Sequence, residues 1–216
     1  VESEALIAEL ARRLKPVRVL PSPARQAAAW FGLAAATVTA VTLLDGVRPD
    51  LAARLAVPSE LAQWLASIAT ALAGALAAAM LARPDRPVAW ALLPLAPLVA
   101  WLAALGFGAA ADVARLGPAA MEVGENWGCV VFTAGLGLVL TLGLLVMLRH
   151  AGPVRPVPVL IFGGLASAAL TSAGCSVAHR IDAALPVLVW HGAAVLLAVG
   201  LAWAFGGRLL VRPPGG

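Results

Sequence analysis

Residues 61–82 read LAQWLASIATALAGALAAAMLA, a stretch without one charged side chain. An α-helix needs about 20 such residues to cross a hydrocarbon core about 30 Å thick. Working outward from it, five more apolar runs of that kind appear, at residues 27–44, 88–111, 130–148, 157–175 and 186–206. Each is bounded by charge, Pro or Gly. In lipid every backbone N–H and C=O must be satisfied within the segment, so all six are expected to be helices. The predicted fold is all-α: an integral membrane bundle of six transmembrane helices preceded by a short cytoplasmic amphipathic helix. Pro94 and Pro97 fall inside the third run and predict a kink there, because Pro removes a helix hydrogen bond.

The composition agrees with the spans. Of 216 residues, 62% are hydrophobic and 12% charged, and the mean hydropathy is +0.93. A soluble domain is nearer 25% charged. Soluble enzymes, nucleic-acid-binding domains and disordered chains are excluded, so the net charge of +4 is no argument for DNA binding. Two cysteines exclude a disulfide scaffold and a multi-cysteine zinc ribbon.

Orientation follows from Lys and Arg, which concentrate on the cytoplasmic side of short loops. With the N-terminus inside, the inner segments hold Arg12, Arg13, Lys15, Arg18, Arg25, Arg83, Arg86, Arg149, Arg155, Arg208 and Arg212. The outer segments hold only Arg48, Arg54, Arg115 and Arg180. The acids lean the other way, with Asp45, Asp50, Glu60, Asp112, Glu122, Glu125 and Asp182 outside. Both termini are therefore expected to be cytoplasmic in a bacterial inner membrane. The chain divides into an N-terminal partner-binding segment (1–26), a transmembrane domain (27–206) and a cytoplasmic tail (207–216). A cleaved signal peptide is not expected, because the residues ahead of the first span do not form a secretory n-region.

Two features outside the spans carry candidate function. Residues 2–14, ESEALIAELARRL, place Leu6, Ile7, Leu10 and Leu14 on one helical face, with acids at the start and Arg12, Arg13 and Lys15 at the end. Pro16 stops the helix. A helix this short is marginal alone in water, so its apolar stripe needs a cover. The inner leaflet and a groove on a soluble partner both remain open.

The second feature is on the outer side. Cys129 opens the fourth run and Cys175 closes the fifth. A bridge between them would close a loop of about 45 residues and contribute about 4 kcal/mol. His179 lies four residues after Cys175, and His191 lies early in the sixth run. Two Cys and two His suffice for a tetrahedral soft-metal site. A redox pair, a metal site on Cys129, Cys175, His179 and His191, and inert thiols all stay open. The seven Trp fall mainly near span ends, as interface anchors do.

Absences narrow the classes. No run carries a charged residue at its middle, which disfavours a proton relay or ion pathway. CxxC, HExxH, GxSxG, a phosphate loop and paired haem histidines are missing. No catalysis, no resident cofactor, no direct nucleic-acid contact and no small-molecule substrate are expected. The competing classes are a small transporter or metal-handling membrane protein, a thiol–disulfide exchange enzyme, and a structural subunit of a membrane complex.

The N-terminal string Leu6-Ile7, Leu10-Ala11, Leu14, Pro16-Val17-Arg18, Leu20-Pro21, Pro23 and Arg25 resembles the opening of NrsF-type proteins, negative regulators of an extracytoplasmic-function (ECF) sigma factor. The likeness extends to the six spans, a Cys before the fourth, a Cys after the fifth, Trp190-His191 and the closing Gly207 to Leu210. It implies a membrane-bound anti-sigma factor. Leu6, Ile7, Leu10 and Leu14 would form the docking stripe, with Arg12, Arg13 and Arg18 meeting acidic patches. Cys129 and Cys175 would sense oxidant or thiophilic metal, and a change there would release the sigma factor.

Overall fold

The computed structural model describes residues 3–13, 20–117, 131–153 and 155–178, with isolated positions at 193 and 200. Among the described residues the chain is helical throughout. Helix α1 covers Ser3–Arg12, α2 Pro23–Asp45, the short α3 Leu51–Leu55, α4 Pro58–Leu81 and α5 Leu95–Leu116. Helix α6 covers Gly137–Leu148 and α7 Pro156–Ala178. Five of these segments are long and apolar enough to cross a membrane. The chain is thus a membrane protein. The sixth predicted span, 186–206, lies outside the described residues except for positions 193 and 200.

Local chemistry sets the boundaries. Pro23 at the first helical position of α2 lacks only an N–H that would have no intrahelical partner, and the Ser22 hydroxyl accepts from Arg25 N–H at 3.3 Å. Gly46 ends α2 at φ 104°, a conformation that side-chain-bearing residues avoid. Pro58 opens α4, with Glu60 in its first turn.

The third span departs from the expected kink. A 3₁₀ turn covers Val88–Leu92, and α5 starts afresh after Pro94. Leu93 N–H bonds back to Trp90 C=O at 3.2 Å, and Leu98 N–H to Pro94 C=O at 3.0 Å. Pro94 at the N-cap and Pro97 in the first turn of α5 thus stand where no N–H is needed, so the helix restarts there. The fourth span begins with a π turn at Val131–Leu136 before α6. The loop after α2 folds into α3, which the sequence pattern does not signal.

Helix α4 packs on α2, α5 and α7, and α7 packs on α4, α6 and α2. Small residues allow the approach. A Cβ at Gly74 would stand 3.1 Å from Phe162 C=O and 3.3 Å from Ala166 Cβ, and one at Gly163 would stand 3.3 Å from Leu144 Cδ2. Without a hydrophobic drive between helices in lipid, such close backbone contact supplies the packing energy. As a result α7 is 72% buried, whereas the third span is only 17% buried and turns Leu95, Val99, Leu102 and Phe107 outward.

The tryptophans correct an expectation. Trp30 is buried and donates its Nε1–H to Leu140 C=O at 3.1 Å, joining α2 to α6. Half-buried Trp64 donates to Ala173 C=O at 3.2 Å, joining α4 to α7. Trp101 is also buried. Trp30 and Trp64 thus act as interhelical braces, because a bundle of Ala-rich helices leaves gaps that a large ring fills. Trp127, Trp190 and Trp203 lie outside the described residues.

Candidate functional site

The two ends of the bundle differ in charge. At the end where the N-terminal segment enters α2, Arg83 bonds through Nη2 to Pro21 C=O, and Arg155 bonds through Nη1 to Arg86 C=O at 3.3 Å. Arg25, Arg83, Arg149 and Arg155 face no carboxylate in salt-bridge range among the described residues. At the far end each described Arg is neutralised. Arg48 pairs with Asp50 at 2.8 Å, Arg54 with Glu60 at 3.0 Å and Arg115 with Asp112 at 3.2 Å. The Arg48–Asp50 pair is two-pronged, with Nε on Oδ1 and Nη2 on Oδ2.

Cys175 sits at the far end, three residues before α7 stops. It is fully buried and disulfide-bonded. The chain has one other cysteine, Cys129, which lies outside the described residues. The Cys175 sulfur lies between the helices, three residues from the end of α7. It packs with Phe132 of the π turn, and Val41 of α2 and Leu136 pack against that pair.

Several elements converge on this last stretch of α7. The Cβ of an alanine at Gly174 would overlap Val38 Cγ1 and stand 3.1 Å from Thr42 Oγ1 and 3.4 Å from Phe132 Cε1. Only glycine lets α2 lie this close. Trp64 holds Ala173, and Arg48 N–H donates to Val177 C=O at 3.0 Å. Thus α2, α4, the loop after α2 and the π turn all rest on Ala173–Val177. The polar side chains below are satisfied within α7: Ser167 Oγ donates to Gly163 C=O at 3.0 Å and Thr171 Oγ1 to Ser167 C=O at 2.9 Å.

At the other end of the chain, α1 is solvent-facing. Leu6, Ile7 and Leu10 are 51%, 65% and 57% exposed, an apolar stripe that remains largely open among the described residues. Arg12 and Arg13 both pair with Glu9, at 3.2 and 2.7 Å. Such exposed pairs contribute at most about 0.5 kcal/mol, so a partner carboxylate could replace Glu9 readily. Leu14 and Arg18 lie outside the described residues.

A family profile described as "negative regulator of sigma F" (NrsF) matches residues 10–211. The chain belongs to the NrsF family. Membership makes it a negative regulator of a sigma factor and implies a sigma factor as partner. The NrsF match contains Cys129 and Cys175 and begins at Leu10, so Leu6 and Ile7 precede it. No curated protein and no solved structure shows significant similarity to the chain.

Among the predicted metal ligands only Cys175 is described; Cys129, His179 and His191 are not. Among the described residues no group of three or more His, Cys, Asp or Glu could hold a metal. A disulfide sulfur is not a thiolate ligand, so metal capture by Cys175 belongs to a reduced state. What the sequence argument missed is the packing around this NrsF cysteine: Gly174, Val38, Thr42 and Phe132. The Gly immediately before Cys175 was the available signal, hidden by the abundance of small residues in every span.

Proposed function

We propose that this chain is an inner-membrane anti-sigma factor that sequesters an ECF-type sigma factor through residues 1–26. It releases the factor when a periplasmic Cys129–Cys175 pair responds to oxidant or thiophilic metal. The observation that carries the reading is the seat of Cys175: Gly174, its neighbour, is wedged against α2, and α2 is the helix that continues from the N-terminal segment. A switch needs a two-state element that both sites bias. Here α2 is that element. Its far end bears on the cysteine turn through Val38 and Thr42, and its near end is tied at Pro21 by Arg83.

The charge distribution supports an N-terminus-inside orientation. Among the described residues Arg25, Arg83, Arg149 and Arg155 at the near end face no carboxylate in salt-bridge range, whereas Arg48, Arg54 and Arg115 at the far end each face one. The exposed stripe Leu6, Ile7 and Leu10, with Leu14, would enter an apolar groove on the sigma factor. Arg12, Arg13 and Arg18 would meet its acidic rim. The proposal involves no catalysis and no resident cofactor; a soft metal ion would act on the reduced pair as an inducer.

The test is a pull-down from detergent, comparing the full chain with one lacking residues 1–26, under reducing and oxidising conditions and with a thiophilic metal. The full chain should retain a soluble sigma factor that oxidation or metal releases, and the truncated chain should retain none. Cys175→Ser should hold the factor under every condition. Retention by the truncated chain, or normal release from Cys175→Ser, rejects the corresponding half of the proposal.

A further inference from the structure

Three segments meet at the near end of the bundle. Arg83 and Arg86 follow the end of α4 at Leu81, in a tight turn closed by Arg86 N–H on Arg83 C=O at 3.3 Å. Arg155 immediately precedes α7 and donates through Nη1 to Arg86 C=O at 3.3 Å. Arg83 donates through Nη2 to Pro21 C=O, just ahead of α2. The turn thus binds both Arg155 and the entry to α2. Arg25 in the first turn of α2 and Arg149 just past α6 add charge at the same end.

Donors outnumber acceptors here. A guanidinium carries five N–H donors and no acceptor. Arg83 Nε is enclosed by protein and has no hydrogen-bond partner among the described residues, and the same holds for Arg86 Nε. Asp85 is the one carboxylate in range, 3.5 Å from Arg86 Nε. Arg83 and Arg155 face none. An enclosed charged donor without an acceptor is costly, and a phosphate oxygen is the acceptor that suits the planar fork of Arg.

Depth identifies where that phosphate comes from. Helices α4 and α7 are long and apolar enough to cross a membrane, and the turn and Arg155 stand at their ends, at the level of lipid headgroups. Basic pockets between membrane-spanning helices bind anionic headgroups in this way. We infer that the near-end arginines form a site for an anionic phospholipid. Arg83 and Arg155 hold the headgroup phosphate, and Arg25 and Arg149 add to the local positive potential. Because Arg83 also holds Pro21, a bound phosphate restrains the side chain that ties down the entry to α2. The anionic lipid content of the leaflet then sets how firmly residues 20–25 are held. The inference is independent of the cysteine pair.

The test is native mass spectrometry of the full chain in a non-ionic detergent, titrated with dioleoylphosphatidylglycerol, dioleoylphosphatidylcholine or inorganic phosphate. Phosphatidylglycerol should be retained in preference to phosphatidylcholine, and inorganic phosphate at the same concentration should not displace it. Arg155→Gln should weaken retention about fivefold, and Arg83→Gln with Arg155→Gln about thirtyfold. Arg115→Gln, at the far end, should bind as the parent. Amide hydrogen exchange at residues 20–25 should slow with phosphatidylglycerol and not with phosphatidylcholine, and the double variant should lose that response. Helical circular dichroism checks folding, and Arg155 is exposed, so Arg155→Gln decides the matter even if Arg83→Gln does not fold. Equal retention of the two lipids, displacement by inorganic phosphate, or Arg155→Gln binding as the parent overturns the inference. A cluster that served an acidic protein surface instead would give the first of these results.

Discussion

Gly174→Ala tests the central contact directly. The new methyl meets Val38 Cγ1 and Thr42 Oγ1 of α2 and Phe132 Cε1 of the π turn together, and Val38 is β-branched and held to one helical rotamer. Neither a rotamer change nor a small slide of α7 relieves all three, so α2 must move outward. Overpacking of this kind costs about 1–3 kcal/mol. Replacing Gly by Ala inside a helix returns up to about 1 kcal/mol. At the middle of the two ranges the balance is a net loss of about 1.5 kcal/mol. Gly143→Ala is the matched control: its Cβ meets nothing within 4 Å, so only the propensity gain of about 0.5–1 kcal/mol is left. Titration with a denaturing detergent in mixed micelles should therefore place the two variants on opposite sides of the parent. In a thermal scan each kcal/mol corresponds to about 2–4 °C for a chain of this size. The same displacement of α2 should weaken sigma-factor retention even when the pair is reduced. A Gly174→Ala protein as stable as Gly143→Ala, with unchanged retention, would refute both the close approach and the role of α2.

Three further outcomes are expected. Leu10→Glu places a charge in the exposed stripe and should abolish sigma-factor retention while leaving membrane insertion intact, checked by pull-down and by membrane fractionation. Arg83→Ala removes the tie to Pro21 C=O and should raise amide hydrogen exchange at residues 20–25 without changing detergent stability by more than about 0.5 kcal/mol, since the contact is exposed. Trp30→Phe keeps the ring but loses the bond to Leu140 C=O and should destabilise the bundle by about 1 kcal/mol; an unchanged detergent midpoint would show that the brace contributes nothing.

The sequence by itself determined the helical membrane character and the positions of five spans to within a few residues. The reason is that a bilayer imposes one coarse rule, about 20 apolar residues per crossing, which is local and can be counted along the chain. The same rule is silent on which helix lies inside. The span with the lowest mean hydropathy, α7, is the most buried, and the more apolar third span is the least. In water the apolar face turns inward, but in lipid it gains nothing by doing so, and small and hydroxyl-bearing residues that pack closely take the interior. Only the tertiary structure therefore decided that Cys175 is enclosed within the bundle, that Gly174 seats α2 against it, and that Trp30 and Trp64 brace helices far apart in sequence. The fate of the far-end arginines was likewise invisible in a count of charges, because neutralisation depends on Asp50, Glu60 and Asp112 lying within reach in space.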